Sequence, residues 1–156
     1  METESRQACV ASLLALATSP AYQDRIDAGW GLARFAEVPE AQPALVNLVR
    51  DDNDTAVTYA TTEALLRRFD ALGLRLVATA LATANLDHTD WIYPTISEVL
   101  GINSRDRDKA AEMCEPLTHS KDEEVRRGAA HLLEEIKSIS PVLISRSHDR
   151  AHPGAR

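Results

Sequence analysis

A helical pattern that recurs four times along the chain, with a period in the low thirties, constrains the fold most strongly. Each copy begins with a short acidic turn and continues with an apolar anchor residue, and the four anchors are Ile26, Val57, Ile92 and Val125. A small or short side chain follows three positions after each anchor, at Gly29, Ala60, Thr95 and Gly128. Repeats of this length are typical of stacked helical hairpins, because one hairpin alone cannot bury its apolar face.

The spacing of apolar residues predicts eight helices arranged as four pairs. The helical period is clearest in the last helix, where one face carries Val125, Ala129, Leu132, Leu133 and Ile136. Pro94 is expected in the first turn of its helix, and Gly101 is expected to end that helix in a left-handed conformation. The sequence therefore predicts an all-α fold, a right-handed α-solenoid of about four stacked antiparallel hairpins over residues 1–139.

The composition favours one helical domain. Hydrophobic residues make up 44% and charged residues 26% of the 156 positions, and the 4% share of aromatic residues favours helices over strands. No apolar run is long enough to span a bilayer, and the first residues lack the basic and apolar stretches of a secretory signal. We therefore expect a cytoplasmic protein without membrane contact, in which Cys9 and Cys114 are reduced, half-buried thiols.

The segment from Glu115 to Lys137 resembles a HEAT repeat of the short bacterial kind. It reads EPLTHSKDEEVRRGAAHLLEEIK, and the second helix of that family reads roughly Asp-x-x-Val-Arg-x-x-Ala-x-x-x-Leu. The matching residues are Asp122, Val125, Arg126, Ala129 and Leu133. Residues 43–67 are similar more loosely, with Asp54 and Val57 in place and Thr58 where the family has arginine.

The resemblance implies a scaffold that holds a protein partner along a concave surface lined by the second helix of each repeat. Five residues on those helices are expected to face outward and contact the partner: Arg67, Arg68, Tyr93, Arg126 and Arg127. Arginine and tyrosine are common in binding hot spots. The alternative is a solvated helix face, since Glu63 and Arg67 have the i,i+4 spacing of a surface ion pair. Some relatives of the family instead act on bilin cofactors or recognise alkylated DNA.

Acidic residues recur in the turn before each second helix. They are Asp24 and Asp27; Asp51, Asp52 and Asp54; Asp87 and Asp90; and Asp122, Glu123 and Glu124. Equivalent turns align at one edge of a stack of hairpins, so these carboxylates are expected to form a negative strip. The strip is a candidate docking surface for a basic partner, with Asp51, Asp52 and Asp54 as its strongest candidates. The alternative is that these residues cap helices, where carboxylates accept free amide hydrogens.

The two tryptophans have different expected positions. Trp30 follows Ile26 by four residues and is expected in the core, whereas Trp91 precedes Ile92 and is expected to be partly exposed. The nearby segment Asp87-His88-Thr89-Asp90 contains metal-ligand types, but no further ligand accompanies it at helical spacing. A capped turn is therefore the preferred interpretation of that segment.

The charge distribution favours some partners over others. The formal net charge is −7, and an acidic body disfavours nucleic acid and suits a basic protein partner. Residues 140–156 carry three arginines against one aspartate, and we predict a basic, disordered tail there.

Catalytic motifs are missing from the sequence. It contains no nucleophile elbow, no paired histidines of a zinc protease and no phosphate-binding loop, so no catalytic residue, cofactor or metal is expected. The sequence predicts a non-catalytic scaffold or adaptor for protein partners. The alternatives are an acidic inhibitor or immunity-type protein against a basic toxin or nuclease and, third, a HEAT-like enzyme of the bilin lyase or DNA glycosylase type.

Overall fold

The computed structural model describes residues 2–145, and this part of the chain is all-α. Its eight helices are α1 (Glu2–Leu16), α2 (Tyr22–Ala33), α3 (Ala41–Val49), α4 (Thr55–Leu66), α5 (Ala71–Leu81), α6 (Leu86–Leu100), α7 (Ser104–Cys114) and α8 (Glu123–Ser138). A 3₁₀ turn, Glu115–His119, follows α7, where Pro116 stops the α-helical ladder. The predicted all-α class and the number of helices are confirmed, and no helix in the described range is long and apolar enough to cross a membrane.

Polar side chains cap the helices at their amino ends. The carboxylate of Asp54 accepts the amide hydrogen of Ala56 at 2.9 Å, and that of Asp70 accepts from Gly73 at 2.8 Å. Asn103 caps α7 in the same way, and Asp122 caps α8. Such caps satisfy amides that have no partner inside the helix, so they fix where each helix begins.

Helix α6 begins earlier than the sequence indicates. Asn85 caps it and exchanges hydrogen bonds with His88 in a capping box, so the segment Asp87–Asp90 belongs to the first turn of the helix. Pro94 consequently lies inside α6 and not in its first turn. Gly101 has φ −86°, so the expected left-handed cap is wrong. A Cβ atom at Gly101 would overlap the carbonyl oxygen of Ser97, so glycine is needed there for space.

Helices α2, α4 and α6 pack side by side, as the second helices of stacked hairpins should, and α3 packs beside α5. Gly29 of α2 lies against Thr61 of α4, and a Cβ atom on Gly29 would overlap the threonine hydroxyl. The small residue predicted at this position therefore brings two helices close together. Large fully buried side chains then fill the space between the layers, among them Leu32, Leu45, Leu65, Ile92, Ile96 and Leu100.

Helix α8 does not extend this row. It packs mainly against α5 and only marginally against α6. Gly128 makes this possible, because a Cβ atom there would overlap the backbone carbonyl of Ala78 in α5. The fourth pair thus departs from the packing of the first three, and a right-handed solenoid of four equivalent hairpins stays a prediction.

The anchor positions are buried in three of the four helices. Val57, Ile92 and Val125 are at most 1% exposed, whereas Ile26 is half-buried. The buried stripe of α2 runs one residue earlier, through Arg25, Ala28, Gly29, Leu32 and Ala33. This shift turns Trp30 outward, where it is 52% exposed, so the expected core position of Trp30 is wrong.

The two cysteines also differ from the expectation that both are half-buried. Cys9 is exposed, and Cys114 is buried in the core. Burial, with a smaller contribution from the charge of Glu115, raises the pKa of the Cys114 thiol to about 12. Cys114 therefore stays protonated at neutral pH and acts as a small apolar core residue.

The start of the predicted tail is hydrogen-bonded to the turn between α6 and α7. The amide of Val142 donates to Gly101, that of Leu143 donates to Ile102, and the amide of Ser104 donates back to Leu143. The amide of Ser145 donates to the hydroxyl of Ser104 at 2.9 Å. The rest of the predicted tail, residues 146–156, lies outside the described residues.

Candidate functional site

Three interhelical turns lie side by side at one edge of the molecule. Arg25, at the start of α2, forms an ion pair with Asp51 in the α3–α4 turn at 2.7 Å, and both side chains are less than 10% exposed. The same guanidinium donates to the carbonyls of Ser19 and Pro20 in the α1–α2 turn. The Arg25–Asp51 pair therefore ties the first two hairpins together at this edge.

His88 ties the second hairpin to the third. Its Nδ1 atom accepts the amide hydrogen of Asn85 at 3.3 Å, which leaves Nε2 as the protonated nitrogen. Nε2 donates to the carboxylate of Asp52 at 2.8 Å. Arg50 also donates to the Thr83 hydroxyl across the same two turns. The edge is therefore ordered by specific polar contacts from one hairpin to the next.

A cavity of about 260 Å³ opens between the α3–α4 turn and the first turns of α6, and we call it the acidic cleft. Its lining consists of Asp51, Asp52, Asn53, Asp54, Thr55, Thr58, Asn85, Asp87, His88, Asp90 and Trp91. Five of these residues are aspartates, and none is lysine or arginine. The lining of the cleft is therefore predominantly acidic.

The aspartates of the cleft fall into two groups. Asp51 and Asp54 have structural contacts, because Asp51 pairs with Arg25 and accepts two turn amides, and Asp54 caps α4. Asp52, Asp87 and Asp90 are exposed. Asp52 binds only His88, and the carboxylates of Asp87 and Asp90 accept no hydrogen bond from any described residue. Helix capping therefore explains part of the acidic edge and leaves these three carboxylates for other partners.

Two further side chains distinguish the cleft from a plain acidic surface. Thr58 is only 1% exposed and lines the cleft. Trp91 is 45% exposed at the same cavity. The cleft thus combines carboxylates, a buried threonine and an aromatic surface.

A second cavity, of about 640 Å³, lies between α2 and α4 at their carboxyl ends, and we call it the basic groove. It is lined by Trp30, Ala33, Arg34, Glu63, Ala64, Arg67 and Arg68. Arg67 pairs with Glu63 at 2.8 Å. Arg68 pairs with Asp70 at 2.8 Å and donates to the carbonyl of Ala33. The side chain of Arg34 is exposed and forms no ion pair with any described residue.

The remaining predicted contact residues lie elsewhere. Arg126 donates to the carbonyl of Ser120 at 2.9 Å, and Arg127 donates to that of Ala82 at 3.2 Å. Tyr93 is half-buried beside α8, where burial first and then the charges of two glutamates on α8 raise its pKa. The structure therefore brings Arg67 and Arg68 into one groove but does not join them with Tyr93, Arg126 or Arg127.

Sequence reasoning missed two residues of these sites. Thr58, which stands where the HEAT-like family has arginine, is buried and lines the cleft. Trp30 was expected in the core and instead lines the basic groove. The signal for Trp30 was available in the small or aliphatic residues Ala28, Gly29, Leu32 and Ala33, whose spacing defines the buried stripe of α2 without it.

Comparison with known proteins does not define a class for this chain. No protein-family model matches it, and no curated protein matches it. It matches the crystal structure of an engineered protein with 22% sequence identity and a TM-score of 0.34. The match covers 88% of this chain and 65% of the engineered protein. At that TM-score the likeness supports no argument about fold or function, and HEAT-like family membership stays a prediction.

No group of three or more metal-ligating side chains that could hold an ion occurs in the described part of the chain.

Proposed function

We propose that this protein is a non-catalytic interaction module, built from stacked HEAT-like hairpins, that binds a basic segment of a protein partner in the acidic cleft. The observation that carries the proposal is the acidic lining of the cleft, which has five aspartates and no lysine or arginine, and of the five only Asp51 pairs with an arginine. Like charges held this close repel one another, and a cationic side chain from a partner relieves that repulsion.

The chemistry of the cleft favours arginine over lysine. A guanidinium presents five donors in a plane, which suits the exposed carboxylates of Asp87 and Asp90. It also stacks on an aromatic face, and Trp91 provides one at the same cavity. A lysine ammonium has three donors and stacks less well, so it uses fewer of these groups.

The order of the edge supports tight binding. The Arg25–Asp51 pair, the His88–Asp52 contact and the cap at Asp54 hold the walls of the cleft before any partner arrives. A preordered site loses little conformational entropy when the partner binds, so more of the interaction energy appears as affinity. The side-by-side packing of α2, α4 and α6 supports the stacked-hairpin part of the proposal.

The test measures binding of fluorescein-labelled hexa-arginine and hexa-lysine peptides by fluorescence anisotropy at about 50 and about 150 mM NaCl. The variant Asp52→Asn, Asp87→Asn, Asp90→Asn should weaken hexa-arginine binding by about tenfold or more and flatten its salt dependence. The wild-type protein should prefer hexa-arginine, and Trp91→Ala should reduce that preference with a smaller change in hexa-lysine affinity.

The matched control is Glu4→Gln, Glu112→Gln, Glu134→Gln, which removes the same three charges from exposed positions outside the cleft. This control should change the affinity by less than about twofold. Equal losses in the control and the cleft variant would show that only net charge attracts the peptide, and the cleft proposal would then be wrong. Circular dichroism of each variant confirms that the helices are intact.

A further inference from the structure

The basic groove is the one described cavity in which arginines dominate, although the chain carries a formal net charge of −7. Three guanidiniums, those of Arg34, Arg67 and Arg68, share it with a single carboxylate, that of Glu63. Concentrating like charge in one place is unfavourable unless something compensates for it. The contacts of each arginine show how far the protein itself provides that compensation.

The helix ends explain Arg68 and part of Arg67. The carboxyl ends of helices carry partial negative charge and free carbonyls, which attract cations. Arg68 donates to the carbonyl of Ala33 at the end of α2 and pairs with Asp70, so its role is structural. Arg67 pairs with Glu63 one turn earlier on α4, but its side chain remains 55% exposed.

Arg34 is compensated least. It is the C-cap residue of α2, where the helix dipole favours a positive charge, but its side chain is exposed and forms no ion pair with the described residues. Trp30 lies one turn earlier on the same helix, 52% exposed, and lines the same groove. Between α2 and α4 the lining includes the small side chains of Ala33 and Ala64, which leave room for a ligand. Tryptophan and arginine beside an open groove are the residue types that most often dominate binding energy.

We propose that the basic groove is a second docking site, which binds an acidic segment of a protein partner. A carboxylate from the partner pairs with Arg34 and the exposed face of Arg67, since guanidinium and carboxylate form paired, charge-assisted hydrogen bonds. Apolar atoms of the same segment cover Trp30. The site is independent of the acidic cleft, because it rests on different residues and selects ligands of the opposite charge.

The first test uses Trp30 itself as the reporter. The chain has two tryptophans, so Trp91→Phe leaves Trp30 as the only one. Titration of this variant with a hexa-glutamate peptide should shift or quench the tryptophan fluorescence in a saturable manner. No change in fluorescence at peptide concentrations that saturate an anisotropy assay would place the binding elsewhere and overturn the proposal.

The second test compares two charge reversals by anisotropy with labelled hexa-glutamate. Arg34→Glu should weaken binding by about tenfold or more, while Arg105→Glu, at an exposed position on α7, should change it by less than about twofold. Equal losses would overturn the proposal, because net charge alone would explain them. Arg34→Glu should leave hexa-arginine binding unchanged. A negative result for the basic groove can therefore be distinguished from a negative result for the acidic cleft.

Two other occupants are outcomes of the same experiments. Tighter binding of an oligothymidine than of hexa-glutamate would indicate a phosphate ligand and overturn the assignment to an acidic protein. Sedimentation velocity showing a wild-type dimer that Arg34→Glu dissociates would indicate that the groove binds the acidic edge of a second copy. That result would also overturn the proposal of a separate acidic partner.

Discussion

The acidic cleft and the basic groove lie at opposite ends of α4 and use the same helix in opposite ways. The cleft includes Asp54 and Thr58 at the amino end, and the groove includes Glu63, Ala64 and Arg67 at the carboxyl end. The helix macrodipole favours this sorting of charge by sign. Both sites, however, also contain charged side chains that neither cap a helix nor form an ion pair with a described residue. These remaining charged side chains, and not the charged residues as a whole, identify the candidate binding surfaces.

The two sites also differ in how rigidly their charged side chains are held. The ion pair behind the cleft, Arg25–Asp51, is almost fully buried, whereas Arg67 in the groove is more than half exposed. Buried pairs hold a single geometry, and exposed pairs exchange easily with water. We therefore regard the cleft as the preordered site and the groove as the adjustable one.

The largest expected effect comes from breaking the buried pair. Arg25→Ala should lower the free energy of unfolding by about 3–5 kcal/mol, because it leaves the buried Asp51 carboxylate without a partner. Urea denaturation followed by circular dichroism measures the loss. A double-mutant cycle with Asp51→Ala isolates the coupling between the two side chains. A loss below about 1 kcal/mol would mean that the pair does not order the cleft.

A smaller effect is expected at the turn that follows the groove. Phe69 has φ +50°, a left-handed conformation that is unfavourable for residues with a Cβ atom, and the residue is 40% exposed. Phe69→Gly should raise the free energy of unfolding by about 0.5–1 kcal/mol, since relief of strain exceeds the extra backbone entropy of glycine. Phe69→Ala keeps the strain and should not stabilise the protein. Equal effects of both variants in thermal melts would contradict this explanation.

The exposed pair in the groove should matter least for stability. Arg67→Ala should reduce the free energy of unfolding by only about 0.3–0.5 kcal/mol, because an exposed i,i+4 pair is weak and screened by salt. The same urea experiment measures it beside Arg25→Ala. A loss as large as that of Arg25→Ala would show that the groove is as rigid as the cleft, and the contrast between the two sites would disappear.

The two sites should bind independently at physiological salt. Helix α4 has 12 residues and is therefore about 18 Å long, roughly twice the distance over which charges act at that salt concentration. The cleft variant with three Asn substitutions should change hexa-glutamate affinity by less than about twofold. The cross-effect should grow at about 10 mM NaCl, where screening is weak. Strong coupling at physiological salt would indicate one continuous site.

A pH titration gives the smallest signal. A hydrogen bond with Glu98, followed by the charge of Glu63, raises the pKa of Tyr59 above its ordinary value of 10.0. The contact therefore stabilises the fold fully below pH 10.0 and is lost as the pH rises through the raised pKa. The difference in phenolate absorbance between the wild-type protein and Tyr59→Phe should have its midpoint above 10.0. A midpoint at or below that value would mean that α4 and α6 lack this contact.

The sequence predicts the helices better than the packing between them. Helical periodicity and capping residues are local, so the eight helices could be predicted, and three of the four anchors are buried. The buried face of α2 was predicted incorrectly, because that face includes Arg25 and so lacks a purely apolar pattern. The buried arginine pairs with Asp51, 26 residues away, and no local pattern reveals such a partner.

The acidic edge, too, could be predicted only in part. The recurrence of aspartates in the turns indicated a negative strip, and the structure places Asp51, Asp52 and Asp54 together in one cleft. The sequence could not separate caps from free carboxylates, since that depends on where each helix begins. The sequence also could not reveal that Gly128 lets α8 pack closely against α5, because such an approach depends on contacts between residues far apart in the chain.

The close packing of α8 against α5 has a mechanical consequence. Where Gly128 meets Ala78, backbone lies directly on backbone, so no side chain can rotate aside to let the two helices slide. At the other end of the molecule, Val10 is the one buried side chain among those described for α1. Under a pulling force the molecule should therefore come apart from its amino-terminal hairpin first, and the seam between α5 and α8 should be the last to yield.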